Sequence, residues 1–144
     1  MKKILAPIDG SLSSLNALKY TRDIAEKFGS EIILVNIQKP IFFESPKPET
    51  VDGEDSKTLE EKASMVVSQG MKILEGTPAK VRSLMKSEDI MGDPAEQILY
   101  LIDKEDVDIV IMGSHGYSGI RKFLMGSVSH KVVQHSPKPV MIIK

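Results

Sequence analysis

The chain has 144 residues and a net charge of −1, which fits one domain with a substantial core. It contains no cysteine, which excludes disulfides, thiolate catalysis and cysteine-ligated metal centres. No apolar run reaches the roughly 20 residues of a membrane span, and Pro7 and Asp9 interrupt the N-terminal run too early for a signal peptide. We therefore expect one cytoplasmic domain over residues 1–144 with no membrane partner.

The charge is distributed unevenly along the sequence. Residues 109–144 contain no Asp or Glu, but they hold five basic side chains and all three histidines. An acid-free basic segment favours an anionic ligand, although lysines on the solvated faces of buried strands give the same pattern. A net charge near zero and only seven aromatic residues argue against nucleic-acid binding.

Apolar runs alternate with helix-period segments, a pattern typical of βα units on a parallel sheet. The first unit is predicted to be a strand at residues 4–6 and a helix that begins after Ser11 and ends at Gly29. The predicted apolar face of this helix consists of Leu15, Leu18, Ala25 and Phe28. Residues 32–37 form a second, almost continuously apolar strand, which predicts burial on both faces.

Residues 38–53 contain three prolines and show no period, which predicts a long loop. Its apolar cluster at 41–43 fits a lid, a dimer contact or a segment packed on the core. A helix over 56–75 and a weaker strand over 79–85 are predicted to follow.

The sequence Gly92-Asp-Pro-Ala-Glu96 predicts the start of a further helix. Asp93 is the expected N-cap, Pro94 takes the first helical position, and Glu96 completes a capping box. We therefore assign Asp93 a structural role.

The last third of the chain is predicted to contain a strand at 107–112, a glycine-containing loop at 113–126, a helix at 127–135 and a strand at 139–143. The final strand is apolar up to the chain end. An exposed strand edge of that kind promotes association, so we expect a homodimer formed through it.

The glycine-containing loop at 113–126 is the segment most suited to binding a ligand. It begins where a buried strand ends and finishes where a helix begins, which is where open α/β sheets bind ligands and where free helix N–H groups bind anions. The glycines permit close approach of phosphate oxygens, and Ser127 is predicted to cap the helix and to donate a hydroxyl. The loop matches neither the P-loop nor the G-x-G-x-x-G fingerprint.

The spacing Gly113-x2-Gly116-x9-Gly126-Ser127 resembles the G-x2-G-x9-G-[ST] nucleotide-binding pattern of the universal stress protein family. Residues 3–11, 92–95 and 139–143 resemble that family's opening strand, mid-chain signature and closing strand. The complete motif indicates the ATP-binding subtype. The resemblance implies a Rossmann-like fold: an open five-stranded parallel sheet of order 3-2-1-4-5 with helices on both faces. It also implies a homodimer through the C-terminal strand.

The resemblance further implies ATP with Mg²⁺ or Mn²⁺ as cofactors and a role for each matching residue. Asp9 would contact the ribose or a phosphate-bound metal, and Ile37 would meet adenine through its backbone. The remaining implied contacts are Pro7 and Met112 at the base, Gly113 near the ribose, and Gly116, Gly126, Ser127 and Val128 at the phosphates.

Several of these residues also have structural explanations. Asp9 with Gly10 fits an ordinary turn, and Arg121 and Lys122 fit solvated loop residues as well as a phosphate clamp. His115 is more typical of an exposed loop histidine than of a ligand contact. His130 and His135 are five residues apart on a helix, which does not suit a metal pair.

Three functions are compatible with the sequence. The leading hypothesis is an ATP-binding stress-response protein that acts as a nucleotide-dependent sensor or switch. The alternatives are a slow Mg²⁺-dependent ATPase or autokinase, and a protein-interaction module with a vestigial nucleotide site. The sequence identifies neither the stress nor the downstream partner.

Overall fold

The computed structural model describes residues 1–40, 58–115 and 125–144. The predicted cluster at 41–43, and with it Gly116, Arg121 and Lys122, lies outside the described residues. The strands are β1 (Lys3–Pro7), β2 (Glu31–Val35), β3 (Val81–Ser83), β4 (Ile109–Gly113) and β5 (Val140–Ile143). The helices are α1 (Leu12–Phe28), α2 (Leu59–Ile73), α3 (Ser87–Ile90), α4 (Pro94–Lys104) and α5 (Ser127–His135).

The five strands form one sheet of order β3-β2-β1-β4-β5, in which every neighbouring pair is parallel. This confirms the predicted α/β class and strand order. The chain order reverses between β1 and β4, which makes the gap between their carboxyl ends the topological switch point of the sheet.

The core consists of two apolar layers, one on each face of the sheet. Alternate strand residues point to opposite faces, so Leu5 and Val110 pack in one layer while Ile4 and Ile111 pack in the other. The first layer contains the buried faces of α4 and α5 together with Ala63 of α2, and the second contains the buried face of α1 and Val67 of α2. The continuous apolar strands are therefore covered on both sides, as predicted.

Helix α1 begins and ends where the sequence predicts. The Ser11 side chain accepts a hydrogen bond from the Ser14 N–H, and Gly29 closes the helix in the left-handed conformation with φ 67°. The prediction that Phe28 belongs to the apolar face is wrong, because this side chain is 59% exposed. Phe28 is the last residue of α1 and precedes the first residue of β2 by three positions, so it lies where the helix reaches the end of the sheet.

The other predicted elements are present, and most of their bounds differ by a few residues. The structure has α2, β3 and β5 shorter than predicted, β1 longer, β2 and β4 shifted, and α5 with the predicted bounds. Helix α2 begins after Thr58, which forms a reciprocal capping box with Glu61. In α4, Asp93 accepts the Glu96 N–H at 3.0 Å as predicted. The Glu96 carboxylate contacts Lys131 Nζ at 3.3 Å, and this ion pair takes the place of the predicted second half of a capping box.

Within the parts of the chain that the structure describes, none of the helices has the length and apolar character needed to cross a bilayer.

Candidate functional site

Pro7 opens a crevice at the switch point. The Ile8 N–H donates to Val35 O at 2.9 Å, so residue 8 faces β2, and the alternation of the backbone turns residue 7 toward β4. Proline has no N–H, and the pairing of β1 with β4 accordingly stops at Leu5 and Val110. The two strands therefore end side by side without a ladder between their last residues.

A cavity of about 230 Å³ lies in this crevice. Its wall contains eight of the nine residues expected to hold a nucleotide: Pro7, Asp9, Ile37, Met112, Gly113, Gly126, Ser127 and Val128. The ninth, Gly116, lies outside the described residues. The wall also contains six residues that were not predicted to contact a ligand: Ile8, Ser14, Pro94, Ile98, His115 and Ser129.

Asp9 forms a turn and still offers one carboxylate oxygen to the cavity. Its Oδ1 accepts the Ser11 N–H at 2.8 Å, which is the turn role that the sequence also allowed. Its Oδ2 has no hydrogen-bond donor among the residues that the structure describes. The turn and a ligand contact are therefore compatible in the same side chain.

Gly113 lies where the end of β4 meets the first turn of α1. A Cβ atom built on Gly113 would be 2.6 Å from both Ser13 Oγ and Ser14 N, and 2.7 Å from Ser13 C. Such contacts are too short for a side chain, so glycine is required by helix–strand packing. The structure thus gives Gly113 a packing role in addition to the ribose contact that the resemblance implies.

Serine hydroxyls join the start of the glycine loop to α1. Ser13 Oγ donates to His115 O at 2.6 Å, and Ser11 Oγ donates to the same oxygen at 3.2 Å. The imidazole Nδ1 of His115 lies 2.7 Å from Ser114 Oγ. Sequence reasoning missed Ser13, for which the one signal was the Ser11-Leu-Ser-Ser14 run directly after Asp9 and Gly10.

The first turn of α5 faces the cavity without a side-chain cap. Gly126 is the N-cap, and its own N–H donates to Ser114 O at 2.7 Å. The prediction that Ser127 caps this helix is wrong, because Ser127 is the first helical residue. The first N–H groups of a helix have no acceptor within it, so those of Ser127 and Val128 are suited to an anion.

The other end of the cavity is mostly apolar. Pro7, Ile37 and Met112 lie at the ends of three adjacent strands, and α4 adds Pro94 and Ile98. Pro94 and Ile98 are four residues apart, which places them on one helical face. The backbone N–H and C=O of Ile37 have no hydrogen-bond partner within the described parts of the chain. A flat apolar ligand with a polar edge fits this end.

The described cavity wall contains one carboxylate, Asp9, and one imidazole, His115. Within the described ranges, no group of three or more His, Cys, Asp or Glu side chains is arranged to hold a metal ion by itself. A cation at Asp9 would therefore need oxygen ligands from a bound molecule and water.

Three comparisons with known proteins bear on the family. The family model of the universal stress protein family matches residues 1–144. The universal stress protein MJ0577 of Methanocaldococcus jannaschii is 32% identical, with 99% of this chain and 94% of the relative covered. The universal stress protein YxiE of Bacillus subtilis is 30% identical, with 99% and 98% covered.

Solved structures show the same fold. That of MJ0577 superposes with a TM-score of 0.80 at 34% identity, covering 99% of this chain and 95% of that one. A universal stress protein of Archaeoglobus fulgidus in complex with dAMP gives a TM-score of 0.65 at 21% identity, with 100% and 98% covered. The match over the whole chain, together with the strand order and the crevice at the switch point, shows that this chain belongs to the universal stress protein family.

Proposed function

We propose that the protein binds an adenine nucleotide, ATP with Mg²⁺ or Mn²⁺, in the crevice between β1 and β4 and acts as a nucleotide-dependent stress-response sensor or switch. The observation that carries the proposal is that one cavity gathers, from separate segments of the chain, eight of the nine residues expected at the base, ribose and phosphates. Related universal stress proteins have been solved with dAMP and with cAMP, which supports an adenine nucleotide. The proposal takes the chain as one domain in the cytoplasm, and the absence of cysteine fits that reducing compartment.

The backbone of Ile37 accounts for adenine recognition in this proposal. The hydrogen-bonding edge of adenine carries an amino donor beside a ring acceptor, and an adjacent C=O and N–H complement that pair. Guanine presents the opposite pattern, a carbonyl acceptor beside an N–H donor. The N–H and C=O of Ile37, which have no partner among the residues that the structure describes, lie at the apolar end of the cavity and therefore favour adenine over guanine.

The phosphates and the cation belong at the opposite end. Helix N–H groups at Ser127 and Val128 stabilise negative charge there through hydrogen bonds and the helix dipole. The Oδ2 atom of Asp9 fits a hard divalent cation, which would take its other ligands from phosphate oxygens and water. Bound there, the cation would neutralise phosphate charge.

In this proposal the protein binds the nucleotide and is not a fast enzyme. Phosphoryl transfer to water requires a group that orients the attacking water as well as charge stabilisation. The carboxylate of the described cavity wall, Asp9, is assigned here to the ribose or the cation. A slow Mg²⁺-dependent ATPase or autokinase is the alternative, and Mg²⁺-dependent turnover that disappears in Asp9→Ala would support it.

The proposal includes a homodimer through β5. This strand pairs with β4 on one side, and it is the last strand of the sheet. All four of its residues, Val140 to Ile143, are partly exposed. Ile143 O also accepts the Ser114 N–H at 2.8 Å, so the edge strand is joined directly to the start of the glycine loop.

Calorimetric titration of nucleotide-stripped protein with ATP and Mg²⁺ tests the proposal. The comparison is a Gly116→Val, Gly126→Val double variant, and Thr58→Val, at the N-cap of α2, is the control for a helix-cap change away from the cavity. We expect binding by wild type and by Thr58→Val and loss in the folded double variant. No binding by wild type would favour the interaction module with a vestigial site.

A further inference from the structure

Asn36 is a buried polar residue beside the candidate base site. It follows directly after β2 and is 3% exposed. A buried amide is costly unless its donors and acceptors are bonded, so the partners of Asn36 are fixed features of the fold.

The side-chain hydrogen bonds of Asn36 connect the carboxyl ends of β1 and β2. Asn36 Nδ2 donates to Ile8 O at 2.8 Å, one residue beyond the last ladder bond between β1 and β2. Asn36 Oδ1 accepts from Gln38 Nε2 at 2.6 Å. The side chain of Asn36 thus extends the pairing of β1 and β2 past the point where their backbones stop exchanging hydrogen bonds.

Gln38 is held independently by the segment before α4. Its N–H donates to Ile90 O at 2.6 Å, and its C=O accepts the Gly92 N–H at 3.0 Å. Ile37 therefore lies between two residues that are both anchored, while its own N–H and C=O remain without partners in the described parts of the chain. The position of those two groups relative to Pro7 and Ile8 depends on the anchors.

We propose that Asn36, through its bonds to Ile8 O and Gln38, is the positioning residue that aims the backbone of Ile37 at the adenine edge and so sets the preference of the site for adenine over guanine. The inference rests on the proposed nucleotide site and adds a residue to it. Recognition depends on polar groups held within about 0.5 Å of their working positions by surrounding hydrogen bonds. Asn36 has that supporting role for Ile37.

The test measures the ratio of ATP to GTP affinity by calorimetric titration. Asn36→Ala removes both side-chain bonds, and Ser30→Ala is the matched control. Ser30 is 1% exposed and lies just before the start of β2, where its Oγ donates to Met1 O at 3.0 Å. Both variants remove side-chain hydrogen bonds of a buried residue at one end of the same strand, but only Asn36 is next to Ile37.

We expect the ATP-to-GTP ratio to fall about tenfold in Asn36→Ala, the effect of about one lost hydrogen bond, and to stay unchanged in Ser30→Ala. Gln38→Ala, which keeps the bond to Ile8, serves if Asn36→Ala does not fold, and a smaller fall is expected there. An unchanged ratio in the folded Asn36 or Gln38 variant, or an equal fall in Ser30→Ala, overturns the inference while leaving the nucleotide site intact. Failure of wild type to bind ATP overturns both proposals.

Discussion

Replacing Gly113 with alanine tests whether the contact between β4 and α1 builds the site. The added Cβ would lie 2.6 Å from Ser13 Oγ and Ser14 N and 2.7 Å from Ser13 C. Two of these three atoms belong to the backbone, so no rotamer change relieves the overlap. Helix α1 or the end of β4 must move by nearly 1 Å to restore ordinary contact distances.

The structure gives the size of the effect. Overpacking a close contact costs about 1–3 kcal/mol, and we expect the upper end because the obstruction is backbone. For a chain of this length, 3 kcal/mol corresponds to a fall in the melting temperature of roughly 10 °C. Ser13 also donates to His115 O, so the displacement should weaken ATP binding as well.

Urea unfolding followed by circular dichroism measures the loss of stability, and calorimetric titration measures the loss of affinity. Gly29→Ala is the control, because its added Cβ meets nothing within 4 Å while its φ of 67° still strains alanine. We expect the control to lose about 1 kcal/mol of stability and no ATP affinity. A Gly113→Ala protein with the wild-type urea midpoint would refute the packing argument.

Four further predictions concern other parts of the chain. The N–H groups of Lys2 and Lys3 lower the pKa of Asp108, so its contribution to stability is present above the ordinary value of about 3.9 and is lost as the pH falls through the lower folded-state value. At pH 7, Asp108→Asn should therefore have a free energy of unfolding in urea about 1.5 kcal/mol below that of wild type. This difference in stability should shrink below pH 4, and an equal difference at pH 7 and below pH 4 would contradict the argument. Asp9→Asn should reduce ATP affinity about tenfold with Mg²⁺ and much less with EDTA in paired titrations, and equal losses would argue against a cation at Asp9. Lysines at Val140 and Ile142 should convert the expected dimer to monomer in light scattering, with circular dichroism to check that these partly buried positions still allow folding. Ile98→Ala should cost about 2–5 kcal/mol of stability, as should Leu101→Ala, but only Ile98→Ala should improve binding of an ATP analogue carrying a bulky N6 group.

Much of the fold follows from local signals in the sequence. The α1 boundaries at Ser11 and Gly29, and the start of α4 at Asp93 and Pro94, depend on cap chemistry that acts within a few residues. The strand order came from the family resemblance. Phe28 shows the limit of periodicity, which identifies the face of a helix but not the point at which the sheet beneath it ends.

The residues of the candidate site likewise fall into those that the sequence predicted and those that it did not. The glycine loop was found because its glycines and Ser127 stand between the end of a strand and the start of a helix, whereas the roles of Asp9 and Pro7 came from the family resemblance. Ile98 was not identified as a site residue, because the orientation of α4 over the crevice depends on contacts distant in sequence. Asn36 gave no signal, since it lies within the predicted strand 32–37 and its partner Ile8 is distant in sequence.

The missing N–H at residue 7 has a consequence for how ligands enter. In the structure, the ladder between β1 and β4 stops before their carboxyl ends. Pro7 has no N–H to donate across this gap, so it keeps the two ends unpaired. The cost of holding the crevice open is met during folding, so an incoming ligand spends none of its binding free energy on parting the strands. Restoring an amide hydrogen at position 7 would let the two strands form another rung and would make ligand entry compete with sheet closure.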